Sequence, residues 1–300
     1  MLVLSRNDVE ALLDLDQLLE ALAGVHVELS AGEASLPPRV AAFAAAGFLG
    51  AMPGYTPSSG LGAKLVSVFH GNKPPLPTHQ AAIALFDAET GVCSALMDGT
   101  YITAMRTAAA AALATRLLAR PDARVLAILG TGVQSRSAQE LFPRVRAFTE
   151  VRVAGRGEYE DAVRGADVVH CATHAPDPVV LREWLAPGTH VSSVGLNTSG
   201  SELDPEIVRG ADVVAVEARS SAFAPAPAGA FELAGLDPES VVELGELVAG
   251  TRVGRSDPEQ ISLYKSVGIA VQDLAAAALV LAAARERGVG LQFELEEVHA

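Results

Sequence analysis

The 300-residue chain is poor in cysteine, in aromatic residues, in basic charge and in long apolar runs. Its two cysteines, Cys93 and Cys171, are too few for a disulfide framework or a thiolate metal cluster, so a reducing, cytoplasmic setting is expected and no metal. Aromatic residues make up only 5% of the chain while half of it is hydrophobic, so the core is built from Ala, Val and Leu. Lys and Arg number 22 against 36 Asp and Glu, a net charge of −14, which argues against a nucleic-acid partner, since that would need a basic face. The apolar run from Leu274 to Ala284 is alanine-rich and shorter than a membrane span, and the first residues lack a signal-peptide pattern, so no membrane partner is expected. There is no Gly-x-Ser-x-Gly elbow and no Cys–His nucleophile pair.

The most telling segment present is Val125 to Arg136, where five apolar residues run into Gly130-Thr-Gly132-Val-Gln-Ser135. A buried strand, a tight turn and a helix N-terminus in that order can hold a pyrophosphate, and the next strand follows at a βαβ distance. Strands are expected at Val125–Leu129, Val151–Val153, Asp167–Cys171, His190–Val194 and Val213–Val216. Their alternation with helices predicts a parallel, doubly wound sheet of the Rossmann type. After the second strand the chain offers Arg156 where an NAD site usually offers an acid. A guanidinium attracts a 2′-phosphate, so NADPH is expected rather than NADH.

The N-terminal part reads differently. Ser5 caps a first helix, a second covers Leu15 to Ser30, and strands are expected at Ala41–Leu49, Gly62–Phe69, Ala81–Asp87 and Val92–Asp98. A helix over Thr103 to Leu118 and a last helix within Glu259 to Arg287 complete the pattern. Consecutive strands predict an α+β unit with an antiparallel or mixed sheet. The expected division is 1–118 with 273–300 as a substrate-binding and dimerisation domain, and 119–272 as the NAD(P)-binding domain.

Arg39, Lys64, His79 and Arg106 stand out in that first part. Lys64 lies inside an apolar strand, and a buried ammonium needs a partner or a ligand anion. Two or three cations together would hold a carboxylate, arginine with a bidentate fork. His170 and His174 flank a strand end, so they share no face and make a poor metal pair. Ser266 is placed to cap the last helix or to contact the nicotinamide side of the cofactor.

Several strings resemble the ornithine cyclodeaminase/mu-crystallin family over nearly the whole length. They include Met52-Pro-Gly54, Gly62-Ala-Lys64, Pro77-Thr-His-Gln80, Asp98-Gly-x-x-x-Thr103-Ala-x-Arg106-Thr-Ala-Ala, Leu129-Gly-Thr-Gly-Val-Gln134 and Lys265-Ser-x-Gly268-x-Ala270-x-x-Asp273. The resemblance implies a homodimer, a Rossmann domain and a small imino-acid substrate. It implies that Arg39, Met52, Lys64, His79 and Arg106 face the substrate. It also implies that Thr107, Gly130, Gly132, Val133, Gln134, Arg156, Thr173, Val194, Gly195 and Ser266 surround the cofactor.

Two departures from the family pattern matter. Asn197 stands where cyclodeaminases and the related alanine dehydrogenase carry an acidic catalytic residue, and Gly50 replaces a cyclodeaminase glutamate. Asparagine cannot take a proton near neutral pH, so Lys64, Arg106 and Asn197 form the expected catalytic set of a reductase rather than a lyase. Between Arg156 and the helix opening at Glu158, one edge βα unit of the Rossmann sheet is expected to be missing. The expected activity is NADPH-dependent reduction of carboxylate-bearing imines. The alternatives are ornithine cyclodeamination, amino-acid dehydrogenation, or binding of the cofactor and a small carboxylate without turnover.

Overall fold

The computed structural model describes residues 1–195, 200–226 and 228–294. The chain runs β1 (Leu2–Leu4), α1 (Arg6–Leu12), α2 (Leu15–Ser30), β2 (Val40–Ala44), β3 (Gly47–Thr56), β4 (Gly60–Val68), β5 (His79–Phe86), β6 (Cys93–Asp98) and α3 (Thr100–Leu118). It continues with β7 (Val125–Leu129), α4 (Val133–Val145), β8 (Glu150–Ala154), α5 (Tyr159–Val163), β9 (Val168–Cys171), β10 (His190–Ser193), α6 (Pro205–Gly210), β11 (Val213–Val216), α7 (Arg219–Ala222), β12 (Val242–Glu243), α8 (Leu244–Ala249) and β13 (Ser262–Lys265). Then come α9 (Ala270–Arg287) and β14 (Leu291–Gln292). The chain divides into two units, Met1–Arg106 with Ile269–Ala300, and Thr107–Gly268; the first boundary falls inside α3.

In the first unit the local chemistry explains the helices. Ser5 and Asp8 form a reciprocal capping box at the start of α1, and Asp14 accepts from the Asp16 and Gln17 N–H groups at the start of α2. Seven strands pair in the order β14-β1-β6-β5-β4-β3-β2, antiparallel except for β1 beside β6. The single strand expected over Ala41–Leu49 is instead a hairpin, β2 and β3 turning at residues 45–46. The two turn residues are alanines, and only Gly47, which closes the turn, marks it in the sequence.

Period-two alternation gives this sheet two unlike faces. One face buries Met52, Lys64 and Ile83, which are neighbours across β3, β4 and β5. α9 packs over the same three strands. It lies so close that a Cβ added at Gly62 would come within 2.7 Å of Leu274 Cδ2. The other face leaves Leu49, Leu61, Leu65 and Leu96 exposed.

The second unit is a seven-stranded, all-parallel sheet in the order β12-β11-β13-β10-β9-β7-β8. β9, β10, β11 and β13 are buried at every residue, as expected of strands covered on both faces. Doubly wound sheets usually run 3-2-1-4-5-6 from one edge, with ligands at the switch point beside the first strand. Here β7 takes the place of strand 1 and β8 that of strand 2, and among the described residues nothing pairs beyond β8. The edge unit expected to be missing is therefore absent from the sheet. No helix of the described residues is long and apolar enough to cross a membrane.

Candidate functional site

In the first unit, β4 points Lys64 into the sheet's buried face and the first turn of α9 brings Asp273 to meet it. Lys64 Nζ lies 2.7 Å from Asp273 Oδ2, and Arg106 Nε donates to Asp273 Oδ1 at 3.0 Å. All three side chains are almost wholly buried. The positive end of the α9 dipole adds to the stabilisation of the carboxylate. Gln272 accepts from Arg106 Nη1 at 3.0 Å, and its amide reaches His26 Nε2 at 3.1 Å, which tethers the guanidinium to α2.

Burial pushes the Lys64 ammonium down from 10.5 to about 8. Asp273 pulls it up, and the charges of Arg106 and Arg39 push it further down. Lys64 and Arg106 thus share one carboxylate, with the charge of Arg39 felt at Lys64, and two cations on one carboxylate leave positive charge for an anionic ligand. Of the expected substrate residues, Arg39, Lys64 and Arg106 come together and Met52 pairs with Lys64 across β3 and β4. His79 does not join them. It is exposed at the start of β5, four residues and about 13 Å along the strand from Ile83, the partner of Lys64.

In the second unit, β7 ends at Gly130, whose φ of +117° makes the sharp exit and whose N–H donates to Ala154 O at 2.9 Å. α4 then starts at Gly132 without a side-chain cap. The turn fits a dinucleotide phosphate. A Cβ at Gly132 would meet nothing within 4 Å, and Thr131 and Val133 are exposed. A nicotinamide dinucleotide would be held here by the backbone of Gly130 to Gln134 at the α4 N-terminus.

Arg156 is exposed just beyond β8. The structure corrects the expectation that no acid stands there: Glu158 Oε2 accepts from the Gly155 N–H at 3.1 Å, so a carboxylate folds back onto the end of β8.

Thr173, Gly195 and Ser266, three more of the expected cofactor residues, are fastened by two buried carboxylates with no expected role, Glu202 and Glu217. Glu202 accepts from Thr173 N at 3.0 Å and Thr173 Oγ1 at 2.7 Å with one oxygen. With the other it accepts from Ser193 Oγ and Gly195 N, both at 2.7 Å. Ser193 also accepts from the buried Lys265 Nζ at 3.1 Å, and Lys265 pairs with Glu232 at 2.7 Å. Glu217 accepts from Ser266 Oγ, Val267 N and Gly268 N. Ser266 therefore does not cap α9, whose N-cap is Ile269.

Val194 donates its N–H to Cys171 O at 3.1 Å, and Thr107 is buried on α3. Asn197 lies outside the described residues. Burial pushes His170 and His190 down to about 3, so both are neutral core groups bonded to Ser192 and Ser262. Among the described residues no group of three or more His, Cys, Asp or Glu is placed to hold a metal ion.

A mixed sheet holding a buried Lys–Asp–Arg cluster, joined in one chain to a Rossmann sheet with an open glycine turn, defines a two-unit nucleotide-binding α/β protein. The chain belongs to the ornithine cyclodeaminase/mu-crystallin family, whose model matches residues 1–159 and 153–288. It is 39% identical to ketimine reductase mu-crystallin of Mus musculus over 256 residues, covering 78% of this chain and 80% of that one. It is 32% identical to Δ(1)-pyrroline-2-carboxylate reductase of Bacillus cereus, covering 98% and 100%.

That second alignment spans 329 positions against a chain of 300, so the Bacillus protein carries residues absent here. The two stretches matched by the family model meet around Arg156, at the open edge of the sheet. Among solved structures, Thermococcus litoralis Δ(1)-pyrroline-2-carboxylate reductase in complex with NADH and L-proline matches with a TM-score of 0.90 at 33% identity, covering 98% of this chain and 100% of that one.

Proposed function

We propose that this chain reduces carboxylate-bearing imines, of the cyclic ketimine or Δ1-pyrroline-2-carboxylate type, to the corresponding amino acids. The observation that carries the reading is the buried Lys64–Asp273–Arg106 cluster, with Arg39 beside it. Arg39 and Arg106 grip the substrate carboxylate. Asp273 holds Lys64 and Arg106 in fixed places, so little reorganisation is needed when charge shifts. A bound nicotinamide supplies the hydride to the imine carbon. As the C=N electron pair moves onto nitrogen, the Lys64 ammonium, already acidified by burial, gives that nitrogen its proton.

Glu202 is not a spare base for lyase chemistry, because both its oxygens already accept two hydrogen bonds each. Arg156 supports NADPH as the preferred cofactor, through attraction of a 2′-phosphate. The exposed leucines on the outer face of the first unit's sheet support a homodimer built on that face, since a continuous apolar surface is usually covered. Sedimentation of the purified chain should give twice the chain mass; a monomer at micromolar concentration would remove that part of the reading.

The decisive experiment is NADPH and NADH oxidation against a panel of cyclic imines and of 2-oxo acids with amines. Turnover of cyclic imines is expected, and tight cofactor binding without any turnover would overturn the assignment. In the same assay kcat/KM should hold level towards neutral pH and fall about tenfold per unit above about pH 8, as the Lys64 ammonium of the free enzyme loses its proton. The contribution of Lys64 to stability runs the other way. The folded state binds this proton more weakly than the unfolded chain, so that contribution rises with pH between about 8 and 10.5. A profile with no break between about pH 7 and 10 would show that Lys64 is not the titrating group.

A further inference from the structure

We propose that Glu158 is a cofactor-selecting residue that works against Arg156 at the adenosine ribose. The inference rests on the reading that the second unit binds a nicotinamide dinucleotide. Three contacts place the Glu158 carboxylate beside the glycine turn. Gly130 N donates to Ala154 O, which joins that turn to the last residue of β8. Gly157, with a φ of +92°, allows the reversal in which Glu158 N donates to Gly155 O at 3.2 Å. The carboxylate then returns to the Gly155 N–H. A Cβ built at Gly155 would have Glu158 Oε2 at 3.6 Å and Thr131 Cγ2 at 3.7 Å, so acid and turn flank one point.

The carboxyl end of the second strand is where dinucleotide-binding sheets meet the ribose next to the adenine. A carboxylate there accepts a hydrogen bond from a 2′-hydroxyl and repels a 2′-phosphate. The acid usually belongs to the strand end itself. Here it comes from four residues beyond Ala154 and is brought back by the tight turn that stands where the edge βα unit is missing. Arg156 and Glu158 are both exposed on this short turn, one attracting a 2′-phosphate and the other opposing it. Cofactor choice is then the balance of two opposite charges, and the chain takes both NADPH and NADH.

The test is equilibrium binding, read by titration calorimetry of the intact chain with NADPH, NADH, adenosine 2′-phosphate and adenosine. Glu158→Gln keeps an oxygen for the Gly155 N–H and removes the charge. It should tighten NADPH and adenosine 2′-phosphate about five- to tenfold while leaving NADH and adenosine nearly unchanged, and the gain should shrink as salt rises. Arg156→Ala should shift the ratio towards NADH by a similar factor. A Glu158→Gln chain whose NADPH-to-NADH ratio stays within twofold of wild type would overturn the role given to Glu158. Failure of the wild-type chain to bind either dinucleotide would instead overturn the reading of the second unit, and this inference with it.

Discussion

Lys64→Met is expected to lower kcat/KM for imine reduction by about two to four orders of magnitude, roughly 3–5 kcal/mol of transition-state stabilisation. Methionine matches lysine in length and packs well in an apolar strand, so the sheet around position 64 is kept. What disappears is the ammonium 2.7 Å from Asp273 and the proton it delivers. Asp273 then faces Arg106 alone, and the cluster loses one of the charges that receive a carboxylate. Steady-state kinetics separates the two roles: loss of an anchor alone raises KM, whereas loss of a proton donor lowers kcat. Near-normal reduction by a folded Lys64→Met chain would remove this residue from the mechanism.

Glu202→Gln should destabilise the chain by about 3–5 kcal/mol, visible as a fall of roughly 10 °C in Tm. Four donors converge on this buried carboxylate: Thr173 N, Thr173 Oγ1, Ser193 Oγ and Gly195 N. Glutamine offers one acceptor oxygen and turns an NH2 group towards the other two donors, leaving buried polar groups unpaired. The same change loosens Thr173 and Gly195 at the ends of β9 and β10, so cofactor affinity should drop as well. Thermal melts with and without dinucleotide check both effects. An unchanged Tm would mean that these donors find other partners.

Much of the architecture was legible in the sequence because the signals are local. The helix expected over Leu15 to Ser30 coincides with α2, and five apolar residues before Gly130 mark β7 to its observed ends. The alternation of β7 to β13 with short helices marks the parallel sheet. β1 and β14 were illegible because strands of three and two residues carry no periodicity to read.

The site was half legible for the same reason. Lys64 was conspicuous as a charge in an apolar strand, but its partner Asp273 is set by α9 packing on the sheet, which no spacing records. The demand for an anion could be inferred; its address could not. Glu202 and Glu217 were silent because a carboxylate before or after a strand reads as an ordinary loop residue until its donors are seen. Glu158 read only as a helix start because it lies four residues past the strand end, and it is Gly157 that folds the chain back to it.

The pairing of Lys64 with Asp273 also constrains how the polypeptide matures. β4 is made well before α9, so the nascent first unit holds a lysine that cannot meet Asp273 until more than two hundred further residues have been added. The second unit is continuous, from Thr107 to Gly268, and can close its sheet in the meantime. Docking of the last long helix is then the event that covers the buried face of the first unit's sheet and brings Asp273 to Lys64 and Arg106 in one stroke.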